Sequence, residues 1–207
     1  MIRRISLKHS TAQPLNRSTA SNLFRHRAVF LDRDGTLIHE AHYLSDPRKV
    51  KIYQGVPAAL KRLGKAGFKL VIISNQSGIG RGWVSREAVR RVNRRMCRLL
   101  VVAGSPRFDG IYYCPHAPQD RCACRKPRPL LIKKAARDLR LNPRRSYVIG
   151  DKLCDMRLAK AVGARAVLVL SGHGRHEWPA IRRLKIPVAF RARRLSRAVA
   201  WILKDNG

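Results

Sequence analysis

Acidic side chains are scarce in this 207-residue chain: 12 Asp and Glu stand against 45 Lys and Arg, a formal net charge of +33. A field of that sign leaves anionic partners, whether nucleic acid, an anionic membrane surface or phosphorylated metabolites. The basic residues are spread along the chain rather than gathered in one tract, so they also read as ordinary solvated faces, and nucleic acid is expected at most as a nonspecific partner. Aromatics make up only 6% of residues, too few to interleave with Lys and Arg for stacking on bases, which counts against a single-strand-binding module. No apolar run approaches the roughly 18 residues that span a bilayer, so a soluble, cytoplasmic protein is expected. Cysteines number five, an odd count, and no signal-peptide apolar core precedes the first strand. A disulfide-building compartment is not indicated.

Enough apolar residue is present, at 45%, to bury a core, and the length suits one ordinary α/β domain. Residues 1–31 contain no acidic side chain. They match an organelle transit peptide, a disordered basic tail or a misplaced start; we take 1–26 as a disordered basic tail and 27–204 as the domain. From Ala28 onward, strand and helix patterns alternate. Apolar runs at 28–31, 68–73, 109–113, 147–149, 166–170 and 187–190 read as strands. Helical spacing marks 56–63, the stripe Ala88, Val92, Met96 and Leu99, then 132–139, 156–162 and 195–203. Ser85 is the N-cap expected for the second helix, with Glu87 in its first turn. Such alternation predicts a three-layer, Rossmann-like parallel sheet covered by helices on both faces. Ligands bind at the carboxyl ends of strands in such sheets, and Asp32, Ser74 and Asp151 all fall at strand ends.

Asp32-Arg33-Asp34-Gly35-Thr36 places two carboxylates two residues apart, on one side of extended backbone. Alone, the string could be an Asx-type turn. Ser74-Asn75-Gln76-Ser77, running into Gly78-Ile79-Gly80-Arg81-Gly82, offers a hydroxyl and successive amides to an anion, or only a turn. Cys114, His116, Cys122 and Cys124 lie within eleven positions and match a closed tetrahedral zinc site, structural because no ligand position stays open. Disulfide pairing would leave one Cys orphaned and the His unexplained. Cys97 and Cys154 read as small packing residues.

The apolar run followed by Asp-Arg-Asp-Gly-Thr resembles the haloacid dehalogenase superfamily of aspartate-nucleophile phosphatases. The resemblance implies Asp32 as nucleophile and Asp34 as general acid/base. It also implies Ser74 and Lys126 on the transferred phosphoryl group. Mg²⁺ would be held by the Asp32 carboxylate, the Asp34 carbonyl and Asp151, with Asp155 in support. Together with the cysteine knuckle, Gly-Ile-Tyr-Tyr-Cys-Pro-His and Gly-Asp-Lys-Leu-x-Asp-Met narrow the likeness to the heptose bisphosphate phosphatase family, over about residues 27–204. That narrower likeness implies a phosphorylated sugar substrate, a pathway making nucleotide-activated heptose, and Arg125 on a second phosphate. Glu40, Ala41, His42 and Tyr43 would lie over the sugar. Arg33, Asn75, Gln76, Ser77 and Lys152 join the substrate-contacting set. No large cap domain is expected, so the zinc-stapled loop would supply recognition, and the protein is expected to act as a monomer. Histidinol-phosphate phosphatase and polynucleotide 3′-phosphatase are the enzymatic alternatives; a basic zinc module that binds nucleic acid is the non-enzymatic one.

Overall fold

The structure is a computed structural model, and it describes residues 25–205. The expected tail lies outside the described residues except for Arg25 and His26, and His26 already bridges to Leu141. Six strands form one sheet: β1 (Ala28–Leu31), β2 (Lys69–Asn75), β3 (Gly110–Cys114), β4 (Tyr147–Gly150), β5 (Arg165–Val169) and β6 (Phe190–Ala192). Their order is β3-β2-β1-β4-β5-β6, all parallel. Helices α1 (Val56–Lys65), α2 (Arg86–Val102), α3 (Leu130–Asp138), α4 (Leu153–Val162), α5 (Gly174–Arg183) and α6 (Leu195–Asp205) connect or follow them. The expected three-layer α/β architecture is present.

Alternation within the strands sorts the side chains into two cores. Val29, Leu31, Leu70 and Ile72 pack with α1, α2 and α6, through residues such as Leu60, Met96 and Val199. Ala28, Phe30, Val71 and Ile73 face α3, α4 and α5, through Ile132, Met156 and Ile181. Burying each large aliphatic side chain contributes about 1.5–3 kcal/mol. The central strands therefore read as continuous apolar runs, as strands buried on both faces must.

Three local expectations change. Helix α5 was not foreseen, because Pro179 sits inside it and proline normally breaks a helix interior. Its apolar signal is also thin, with Ile181 buried and Trp178 only partly so. The sixth strand begins at Phe190 rather than Pro187, and pairs only with β5. In α2 the buried residues are Ala88, Val89, Val92, Asn93, Met96 and Leu100, so Ala88, Val92 and Met96 lie as expected while Leu100 replaces Leu99 and a polar residue is included. The Ser85 cap holds: its Oγ accepts from the Ala88 N–H at 3.0 Å.

Connections run outward from β1 to β2 and β3 on one side, and from β4 to β5 and β6 on the other. The direction reverses between β1 and β4, and at such a reversal the loops beyond the strand ends diverge and leave a crevice. Asp32 follows β1 and Asp151 follows β4, so the switch point places both carboxylates side by side.

Candidate active site

A cavity of about 300 Å³ opens over that switch point, lined by Asp32, Arg33, Asp34, Glu40, Tyr43, Ser74, Asn75, Gln76, Ser77, Arg125, Lys126 and Lys152, with Cys154 and His173. The residues expected from the sequence at catalysis and on the substrate thus meet at one place, His42 included, with the exception of Ala41, which does not line the cavity. Asp151, fully buried, lies beneath it.

Lys126 is buried, and its Nζ donates to Asp32 Oδ1 at 2.8 Å and to the Ile73 carbonyl at 3.0 Å. It also pairs with Asp155 Oδ1 at 2.7 Å. Burial opposes the charge on Lys126, but the Asp155 and Asp32 carboxylates outweigh it and raise its pKa. Asn75 fixes the segment that carries this lysine. Its Oδ1 accepts from the Lys126 N–H at 3.0 Å and its Nδ2 donates to the Lys126 carbonyl at 3.3 Å. Asn75 therefore acts as a brace between β2 and that loop, in addition to bordering the cavity.

Oxygens of Asp32, Asp151 and Asp155 lie within 4.8 Å of one another. Burial first, then the neighbouring carboxylates, push Asp151 up to about 8. Asp155 rises to about 6, through burial against the opposing pull of Lys126. Asp151 Oδ2 accepts from the His173 N–H at 2.8 Å, whereas its Oδ1 is buried without a partner. An orphaned carboxylate oxygen beside two further carboxylates fits a hard divalent cation such as Mg²⁺. Gly35, at φ +81°, makes the close packing possible: a Cβ there would meet Asp151 Oδ2 at 2.1 Å. The carboxylate of Asp34 is not in this cluster. It faces Arg33 and Gln76 instead, so its carbonyl is what it could offer a cation. Asp155 has both oxygens engaged, by Lys126 and by the Lys152 N–H at 3.1 Å, so its first role is to anchor Lys126.

Arg33 is expected on the substrate but is almost wholly buried, at 1% exposure. Its Nε and Nη2 grip the two oxygens of Asp34 at 3.0 Å each. Nη2 also donates to Gln76 Oε1 at 3.0 Å, and Nη1 to Asn93 Oδ1 at 2.8 Å. Gln76 Nε2 in turn donates to Asp34 Oδ2 at 2.9 Å and to Ser74 Oγ at 2.8 Å. Arg33 and Gln76 thus hold the side chains of Asp34 and Ser74 rather than project into open space.

Glu40 Oε2 lies 3.3 Å from Lys152 Nζ and 3.5 Å from His173 Nε2. Tyr43, on a loop with positive φ at His42 and Tyr43, sits edge-on to Trp83 at 4.6 Å between centroids. Arg125 borders the cavity, and its Nη1 is a buried donor with no partner.

Cys114 ends β3, and the knuckle gathers beside it. The sulfurs of Cys114, Cys122 and Cys124 are 3.2–3.6 Å apart. His116 Nδ1 lies 3.2 Å from Cys124 Sγ and 3.7 Å from Cys114 Sγ. These separations are far beyond the ~2.05 Å of a disulfide. They approach the ~3.8 Å sulfur–sulfur edge of a tetrahedron drawn around zinc at ~2.3 Å, so the donor set fits zinc. Burial opposes ionisation of Cys122, yet hydrogen bonds from Cys114 and Cys124 prevail and bring it down to about 7. Gly80 donates to the Pro115 carbonyl at 2.7 Å, tying the Gly-rich loop after β2 to the knuckle. Arg128 closes the far side by donating to the carbonyls of Arg121 and Cys122.

His173 and Asn93 escaped the sequence reading. Position just beyond β5 on the carboxyl rim could have flagged His173. Asn93 lies four residues from Val89 on the buried stripe of α2, and a polar residue there demands a partner.

A family described as HAD-hydrolase-like matches residues 123–189. D-glycero-beta-D-manno-heptose-1,7-bisphosphate 7-phosphatase of Haemophilus ducreyi is 40% identical over 153 residues, covering 70% of this chain and 84% of that protein. The enzyme of the same name from Helicobacter pylori strain J99 is 39% identical over 130 residues, 63% of this chain and 75% of its own. Among solved structures, D,D-heptose 1,7-bisphosphate phosphatase of B. bronchiseptica, crystallised with magnesium and phosphate, aligns with a TM-score of 0.78 at 29% identity. It covers 86% of this chain and 99% of that one.

Proposed function

This chain belongs to the haloacid dehalogenase-like phosphatases, with the heptose bisphosphate phosphatases as its relatives, and is a phosphoric monoester hydrolase; on that premise we propose that it removes the 7-phosphate of D-glycero-D-manno-heptose 1,7-bisphosphate. The β-anomer for which the relatives are named is the form to test first. The observation that carries the reading is the meeting of Lys126 Nζ, Asp32 Oδ1 and Ser74 at the floor of a cavity whose margin holds the unpartnered Arg125 Nη1.

A phosphate dianion repels an attacking carboxylate by about 4 kcal/mol per unit-charge pair at 4 Å and an effective dielectric of ~20. Lys126 offsets that repulsion at Asp32, and the Ser74 hydroxyl fixes one phosphoryl oxygen. Mg²⁺, held by Asp32, Asp151 and the Asp34 carbonyl, would neutralise further charge there. Asp32 attacks phosphorus. As the bond from phosphorus to the sugar oxygen breaks, Asp34 passes its proton to the departing alkoxide. The Asp34 carboxylate then takes a proton from water, which attacks the aspartyl phosphate, releases inorganic phosphate and restores Asp32. Arg125 receives the remaining phosphate, because an unpaired buried guanidinium nitrogen is costly until an anion satisfies it. Glu40, Tyr43, Ser77 and Lys152 face the sugar. Zinc at Cys114, His116, Cys122 and Cys124 pins the loop that delivers Arg125 and Lys126.

We place the catalytic domain at 27–204 and its action in the cytoplasm, within the synthesis of nucleotide-activated heptose. Among the described residues no helix is long and apolar enough to cross a membrane. The deciding assay compares phosphate release from heptose bisphosphate, histidinol phosphate and a 3′-phosphorylated oligonucleotide. Highest kcat/KM on the bisphosphate supports the reading; preference for histidinol phosphate overturns it, since no second anion would then engage Arg125.

A further inference from the structure

The polar side chain that interrupts the apolar stripe of α2 lies 60 residues from the Asp32–Asp34 turn, yet reaches into it. We propose that Asn93 is a positioning residue for the general acid/base: it fixes Arg33, which in turn orients the carboxylate of Asp34. The inference rests on the role given to Asp34 above.

The geometry runs in one direction. Asn93 is buried, at 8% exposure, among Val89, Val92 and Met96 on the inner face of α2. Its Oδ1 accepts from Arg33 Nη1 at 2.8 Å, and no other hydrogen bond to Nη1 is present among the described residues. Arg33 spends its remaining donors on Asp34 and Gln76. A guanidinium is planar, so fixing Nη1 from one side fixes the plane in which Nε and Nη2 meet the Asp34 carboxylate. Without Asn93, a buried donor is left unpaired and the plane is free to rotate toward another acceptor. Asp34 would then lose its aim at the departing oxygen, and Gln76 would loosen its hold on Ser74. Helix α2 borders the cavity through the apolar side chain of Val89, and its one hydrogen bond to the Arg33–Asp34 pair among the described residues is this amide oxygen.

The effect should be selective, because a general acid matters most for a poor leaving group. A sugar alkoxide needs the proton; 4-nitrophenolate leaves without it. The experiment compares kcat/KM, which reports only the steps through formation of the aspartyl phosphate, on a primary alkyl phosphate and on 4-nitrophenyl phosphate for wild type, Asn93→Leu, Asn93→Asp and Asp34→Asn, with thermal unfolding of each. Asn93→Leu should lower kcat/KM for the alkyl phosphate by about tenfold or more while changing that for the aryl ester by no more than about threefold; kcat falls on both where hydrolysis of the shared intermediate limits it. Asn93→Asp, which keeps an acceptor for Nη1, should recover most of the loss and also serves if the leucine variant folds poorly. Proportional losses on both esters, or a leucine variant that loses stability alone, would make Asn93 a packing residue and overturn the inference. If Asp34→Asn itself shows no selectivity between the esters, the acid role of Asp34 fails first, and the two failures are separately legible.

Discussion

Lys126→Met offers the most direct measure of how this site is held together. The lysine is buried with Asp32 2.8 Å away and Asp155 2.7 Å away, and methionine keeps an unbranched chain one atom shorter while removing the charged donor. Removing one partner of a buried ion pair leaves an uncompensated charge and typically costs about 3–5 kcal/mol. For a domain of this size, each kcal/mol lowers Tm by roughly 2–4 °C, so a fall of roughly 6–20 °C is expected at neutral pH by circular dichroism. Two further readings follow. Adding Asp155→Asn should recover part of the stability, because the buried negative charge facing the methionine is then removed. Turnover should not recover, since the phosphoryl group still lacks its cation, a loss of up to ~4 kcal/mol, or roughly three orders of magnitude in rate. A Tm within about 2 °C of wild type, or a double variant less stable than the single one, would refute the account of Lys126 as the charge that neutralises both carboxylates.

Burial and mutual repulsion raise Asp151 to about 8 and Asp155 to about 6, from an ordinary value of 3.8. The folded, metal-free protein therefore binds more protons than the unfolded chain between pH ~4 and ~8, and its stability should fall as pH rises through that window. Saturating Mg²⁺ should flatten the slope in urea titrations at pH 5 and pH 8; equal stability at both pH values without metal would contradict the carboxylate cluster. Asp32→Asn should abolish turnover while leaving the zinc content and circular dichroism spectrum unchanged, and normal turnover would refute nucleophilic attack by this residue. Arg125→Met should raise KM for the bisphosphate by about 10–150-fold, the worth of a hydrogen bond to a charged group, and change KM for a monophosphate by much less. Chelating zinc should render Cys114, Cys122 and Cys124 reactive toward a thiol reagent and raise KM before the core unfolds; unchanged thiol reactivity in verified zinc-free protein would remove zinc from the loop.

Much of this was legible in the linear chain because the carriers are short and local. Asp32 and Asp34 are two residues apart after an apolar run, and Cys114, His116, Cys122 and Cys124 are close enough in the chain to suggest the cluster that they form in space. The parallel sheet followed from alternating periods, since doubly buried strands must be continuously apolar and their crossover helices amphipathic. Helix α5 was not legible: Pro179 and a single buried apolar residue hide it, and packing of Trp178 and Ile181 against the sheet decides it instead. The apolar spacing phased α2 correctly at Ala88, Val92 and Met96 but could not include Asn93, whose place on the buried face depends on Arg33.

What the amino-acid order determined by itself was which chemical groups are on offer: a carboxylate pair, a hydroxyl at a strand end, a soft-ligand cluster and a field that draws anions. Which groups serve and which support was decided only in three dimensions. Lys126 meets Asp32 across 94 residues, Asp155 joins the Asp32–Asp151 carboxylate cluster and also anchors the lysine, and Arg33 turns inward to clasp Asp34 and Asn93. Residue type limits what a side chain can donate or accept, but its partner is set by distance and desolvation, and those exist only after the strands have been brought together.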